Sequence, residues 1–162
     1  MTDQFAALGA LVNSHHQDMA QTALQQFYQQ WQHDVLVVNM WLSLQASSDH
    51  AQGVASVNEL LSHEAFDIKN PNKVRSVVGV FAAQNLRHFH GDDGAGYNWL
   101  ADRIIELDAL NPQIASRLLG PLTKWKRIGQ PNGTQMKQAL EKIAQRSNLS
   151  KDVYEVVTKT LV

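Results

Sequence analysis

Residues 70–77 read NPNKVRSV and residues 111–118 read NPQIASRL. Each stretch opens on Asn-Pro and sets an arginine five or six residues on, at Arg75 and Arg117. Asparagine caps a helix by accepting an orphan backbone N–H, and proline fits the first helical position, where its missing N–H costs nothing. Both stretches therefore predict helix starts. A helix N-terminus suits an anion and mildly opposes a cation, by about 0.3–1 kcal/mol. Two arginines placed there read as a pair able to face a shared carboxylate, which a guanidinium holds bidentately. The plain alternative is two solvated arginines.

Other candidate chemistry is sparse. A zinc peptidase helix carries His-Glu-x-x-His, with both imidazoles on one face. The only His-Glu is His63-Glu64, followed by Ala65-Phe66-Asp67, so the second histidine is missing. His88, His90, Asp92 and Asp93 form HFHGDD, which reads either as a metal-ligand cluster or as a polar loop whose Asp93-Gly94 turns into the next helix. His15-His16 reads as exposed. There is no Gly-x-Ser-x-Gly, P-loop or dinucleotide fingerprint. Tyr97 and Trp99 are candidates for pocket lining or core. KWKR (124–127) reads as a solvated helix end with Trp125 turned inward. No self-contained catalytic constellation emerges, so the expected catalytic and metal-ligating sets are both none.

The 162 residues are 44% hydrophobic and 18% charged, with a net charge of −1, which suits one globular unit from 1 to 162. That balance gives no electrostatic case for nucleic acid. No apolar run approaches the roughly 20 residues of a membrane span. The absence of cysteine excludes disulfides and fits a reducing compartment. The opening MTDQFAALGAL lacks the pattern of a signal peptide and reads as a helix start, with Met1 either an internal methionine of a longer protein or one added at the start of an excised piece.

The elements that must position these residues are helical. Apolar stripes at helical spacing run through Phe5, Leu8, Leu11 and Val12, and then through Met19, Ala23, Leu24, Phe27 and Trp31 over roughly 16–32. Residues 34–47 are apolar on most sides. Their β-branched start allows a strand, but the length and the Asp34 cap favour a buried helix. A turn follows over 47–53, a helix to about 62 and a loop over 63–69. The first Asn-Pro helix carries Val74, Val77, Val78 and Phe81, and 84–96 is the longest irregular stretch. Tyr97 to Leu110, Ile114 to Trp125, Met136 to Ile143 and Val153 to Leu161 complete the stripes, with a turn at 129–134. Pro121 either kinks the helix over 112–126 or ends it near Gly120. The count is about nine helices and no strand. A spacing of 41 residues between the two Asn-Pro starts matches HEAT and armadillo helix pairs, predicting an all-α, right-handed superhelix of short helices.

The stretches NPNKVRSVVGVFA, FHGDDGAGY, NPQIASRLLGPLTKWKR and NLSKDVYEVVTKTL resemble the C-terminal helical domain of the bacterial aminopeptidase N family, zinc-dependent alanyl aminopeptidases of the gluzincin class. The likeness is dense from about Phe66 onward and looser before it. The resemblance implies a C-terminal domain from a larger cytoplasmic enzyme that removes N-terminal residues from peptides. Zinc and the catalytic motifs belong to a catalytic domain of the same polypeptide, so this chain alone is expected to be inactive. The helical domain is expected to cap the active-site cavity, restrict entry and contact the distal part of peptide substrates. Arginines and a glutamine of its Asn-Pro segments face that cavity in the family, which carries over to Arg75, Gln113 and Arg117. The rival reading is a freestanding helical-repeat scaffold that binds a protein or peptide.

Overall fold

The computed structural model describes residues 1–162 apart from Ala51. Among the described residues there is no strand, and every regular element is a helix. Two compact units form, Met1–Asn85 and Leu86–Val162.

The first unit holds α1 (Thr2–Val12), α2 (Gln17–Trp31), α3 (Val35–Ala46) and α4 (Val54–Leu61). A continuous helical run follows, made of α5 (Pro71–Val74), one π-helical turn (Arg75–Gly79) and α6 (Val80–Gln84). Asp34 starts α3 by accepting the Leu36 and Val37 N–H groups at 3.1 and 3.2 Å. Helix, not strand, wins here because the capped start lets Val37, Val38, Trp41, Leu42 and Ala46 meet neighbours on one side. Those neighbours are α2, α4 and the π turn. Val77, Val78 and Phe81 are fully or almost fully buried beneath α3. The unit closes on Asn85, whose buried side chain donates to the Ala46 and Ser48 carbonyls at 3.0 and 3.1 Å. It thereby satisfies acceptors that the end of α3 leaves open.

Residues 34–47 were expected to form a buried helix, but Val35, Leu36 and Met40 lie on an open side, Leu36 at 74% exposure. No described element of the unit covers that side. Met19, expected in the α2 stripe, is 62% exposed, because α1 and α3 take the side carrying Ala20 and Phe27. The expected turn over 47–53 includes Ala51, which lies outside the described residues.

The second unit holds α7 (Leu86–Phe89), α8 (Ala95–Asp108), α9 (Pro112–Leu118), a 3₁₀ turn (Gly120–Arg127), α10 (Asn132–Ala144) and α11 (Lys151–Leu161). Helix α8 is its centre, packed on α9 and α10, and α10 in turn carries the 3₁₀ turn and α11. Tyr97, Leu100, Ala101 and Ile104 are fully buried, with Met136, Leu140 and Ile143 against them. The irregular stretch expected over 84–96 contains α7, and α8 begins at Ala95, inside it. The turn expected at 129–134 is shorter, since α10 starts at Asn132.

The segment expected as one helix over 112–126 is two elements. The α-helix ends at Leu118 and the chain tightens into 3₁₀ geometry with Pro121 in its first turn. Proline cannot donate to the carbonyl four residues back, so α geometry stops, and Leu122 and Thr123 instead bond to the Leu119 carbonyl at 2.9 and 3.2 Å.

Candidate functional site

Both Asn-Pro segments cap as their residue types require. Asn70 Oδ1 accepts the Asn72 and Lys73 N–H groups at 3.0 and 3.4 Å, and Asn111 Oδ1 accepts that of Ile114 at 3.2 Å. In the first unit, Arg75 sits exposed where α5 passes into the π turn. Its guanidinium donates to Asn72 Oδ1 at 3.0 Å. The π turn adds one residue to the hydrogen-bonded ring, so Val80 N–H reaches back to the Arg75 carbonyl. Such insertions are frequent at functional sites. Nothing in the apolar spacing of 74–81 revealed this one. In the second unit, Gln113 and Arg117 are four residues apart on α9, hence on one face, and both are exposed. The Arg117 side chain makes no hydrogen bond or ion pair among the described residues. Its side chain is available to an outside acceptor.

HFHGDD runs from the end of α7 into a braced loop. Asp93 Oδ1 accepts the Ala95 N–H at 3.0 Å, which starts α8, and Gly94 takes the left-handed φ of +69°. Asn132 donates to the His90 carbonyl and to Tyr97 Oη, both at 2.9 Å. His90 Nδ1 and Tyr97 Oη share a 2.6 Å hydrogen bond. Burial pushes the His90 imidazole below its ordinary pKa and the Tyr97 phenol above its own. Tyr97 and Trp99 are both core. Trp125 is half-buried: its indole donates to the Thr160 carbonyl at 3.2 Å, and Lys126 and Lys137 lie over its ring.

The residues present do not fit zinc. No three His, Asp or Glu side chains among the described residues converge on one point. At His63-Glu64, His63 Nδ1 accepts the Ala65 N–H at 3.0 Å, and Glu64 accepts the Tyr28 hydroxyl at 3.1 Å. Among the described residues no helix is long and apolar enough to cross a membrane.

The first unit also holds a cavity that no spacing in the sequence marks. Helices α2 and α4 both pack on α3 and leave a trench of about 660 Å³ between them. Trp41 and Gln45 of α3 line it, as do Tyr28 of α2 and Glu59 of α4, with His63 just beyond that helix. The three rings cluster: centroids are 4.9 Å apart for Tyr28 and Trp41, 4.8 Å for Tyr28 and His63, and 5.0 Å for Trp41 and His63. Trp41 is fixed by its indole N–H, which donates to the Leu24 carbonyl at 3.0 Å. Burial, then the Glu64 hydrogen bond, raise the Tyr28 pKa. These residues are scattered over 36 positions in sequence, and only the helix packing joins them.

Comparison with known proteins places the chain. A family described as "Domain of unknown function (DUF3458_C) ARM repeats" matches residues 1–162. Aminopeptidase N of Escherichia coli is 42% identical over 162 residues, and that of Haemophilus influenzae is 40% identical over 161. Each alignment covers 99% of this chain and 18% of the relative, so the chain spans under a fifth of their length. A crystal structure of Legionella pneumophila aminopeptidase A in complex with aspartic acid superposes with a TM-score of 0.93 at 34% identity, over 99% of this chain and 19% of that one.

Proposed function

The chain belongs to the DUF3458_C ARM-repeat family, and from that premise we propose that it is the C-terminal helical part of a zinc aminopeptidase that removes N-terminal residues from peptides. Its partner is the catalytic domain of the same polypeptide, its ligands are peptide substrates, and its setting is the cytoplasm. Zinc and the bond-breaking residues lie in that catalytic domain. This part caps the cavity, limits entry and holds the end of the substrate remote from the scissile bond. A peptide there presents carbonyls and a C-terminal carboxylate. Gln113 offers an amide that both donates and accepts, and Arg117 offers a guanidinium; Arg75 supplies a second guanidinium from its own unit.

The observation that carries this reading is the α9 face. Gln113 and Arg117 stand exposed one turn apart, and among the described residues Arg117 has no acidic partner to neutralise it. In the full-length enzyme, Arg117→Ala should lower kcat/KM for a tetrapeptide by roughly tenfold, the loss expected for one hydrogen bond to a charged group. Turnover of a small aminoacyl amide, which has no distal part to hold, should stay within about twofold of wild type. Equal losses on both substrates would refute distal contact.

A further inference from the structure

The charges of the chain are segregated. Asp3, Asp18, Asp34, Asp49, Glu59, Glu64 and Asp67 precede Lys69, with no lysine or arginine among them. All 14 lysines and arginines lie from Lys69 onward, beside the other eight acids. The trench between α2 and α4 is lined entirely by residues from 12 to 63, so every fixed charge in its walls is negative. A cleft lined by one sign of charge focuses its field and concentrates the opposite ion.

The chemistry of the walls narrows the ligand. Glu59 is the one carboxylate in the lining, and it has no ion pair among the described residues. The half-buried Tyr28 ring lines the trench and can meet a cation there, with buried Trp41 packed behind it. Donation of the Tyr28 hydroxyl to the Glu64 carboxylate leaves that ring richer in electrons. Gln21, Gln25 and Gln45 line the same trench, and each carboxamide can both donate to and accept from a peptide group. A cavity of about 660 Å³ admits a short extended segment, not a single ion.

We propose that this trench is a binding site for an extended peptide segment bearing a lysine or arginine side chain, with the cation on Glu59 and the Tyr28 ring and the peptide groups on the glutamines. The proposal does not rest on the peptidase reading: Arg75, Gln113 and Arg117 are not in the trench lining.

The test is calorimetric titration of the full-length protein with acetyl-Gln-Lys-Ala-Lys-amide. Its acetylated terminus gives an aminopeptidase no free amine to hold. The version with norleucine for both lysines keeps the chain length and deletes the ammonium groups. The lysine peptide should bind at least tenfold tighter than the norleucine peptide, and spermidine, which has charge but no peptide groups, should be at least tenfold weaker than the lysine peptide. Glu59 is exposed, so Glu59→Gln should fold normally and weaken binding by about five- to tenfold. Tyr28→Leu should weaken it similarly. Asp3→Asn, which removes a carboxylate of the same acidic segment outside the lining, should change affinity less than twofold. Equal binding of the lysine and norleucine peptides would overturn the proposal. Equal binding of spermidine and the lysine peptide would overturn the peptide assignment, and an Asp3→Asn loss as large as that of Glu59→Gln would reduce the effect to diffuse charge attraction and overturn the site.

Discussion

Asp108 gives the sharpest test of how the second unit is held together. It is the last residue of α8 and only 7% exposed. Its carboxylate meets α11 head-on: Oδ2 accepts the Ser150 N–H at 2.8 Å, and Oδ1 accepts the Ser150 hydroxyl. Ser150 Oγ in turn accepts the Val153 N–H at 3.2 Å, capping α11. One buried carboxylate thus fixes the start of a helix whose Val153 and Val157 are fully buried. Hydrogen bonds to a charged group contribute about 1.5–3 kcal/mol each. The two here share one acceptor group, so they are not additive. Ser150 is half-buried, and water can recover part of the loss at its N–H. Asp108→Ala should therefore cost about 2–3 kcal/mol, which lowers Tm by roughly 5–10 °C for a chain of this size. Ser150→Ala removes the hydroxyl contacts but keeps the N–H bond to Asp108, and should cost about 1–2 kcal/mol. The double variant should cost about 1 kcal/mol less than the two singles together, because both act on one cluster. Urea unfolding at constant pH reads all three, and amide exchange should localise the weakening to α11. A cost under about 0.5 kcal/mol for Asp108→Ala, or strict additivity, would refute the idea that this carboxylate anchors α11.

Two further predictions concern the braced loop ahead of α8. A Cβ at Gly96 would lie 2.5 Å from the Phe89 carbonyl oxygen and 2.8 Å from Phe89 Cα, both backbone atoms, so Gly96→Ala should destabilise by about 1–3 kcal/mol, read as a lower urea midpoint; an unchanged midpoint would mean that α7 does not pack there. His90 has a folded pKa below its ordinary 6.5, so the unfolded chain binds its proton more readily, and the stability this histidine contributes is present above about pH 6.5 and is lost as pH falls through the folded value; replacing it by Gln should flatten the stability profile on the acidic side of pH 6.5, and an unaltered acid limb would count against burial as the cause.

The caps and stripes were readable because they are local. Asn70, Asn111 and Asp34 each start a helix through their own side-chain oxygen, a contact spanning two or three residues. Interruptions of the helix are harder to read. Pro121 left a kink and a break equally open, since the choice depends on whether the next turn tightens onto the Leu119 carbonyl. The π turn at Arg75 has no sequence mark, because Val74, Val77 and Val78 keep a helical stripe with or without the extra residue. Exposure is harder still: α3 is apolar almost all round, and composition alone cannot say which side α2, α4 and the π turn will take and which will hold Leu36 outward.

The candidate sites divide along the same line. Gln113 and Arg117 fall on one face because i and i+4 do so in any helix, whatever packs around it. Tyr28, Trp41, Glu59 and His63 belong to three helices and a following turn, and no periodicity links them. What was legible before folding is the charge distribution, since a stretch of 68 residues with seven carboxylates and no lysine or arginine leaves any cleft built from it without a fixed positive charge, however its helices pack. Sequence therefore excludes a fixed positive charge from the trench, while the packing of α2 and α4 on α3 decides that a trench exists and that Glu59, Tyr28 and Trp41 all line it.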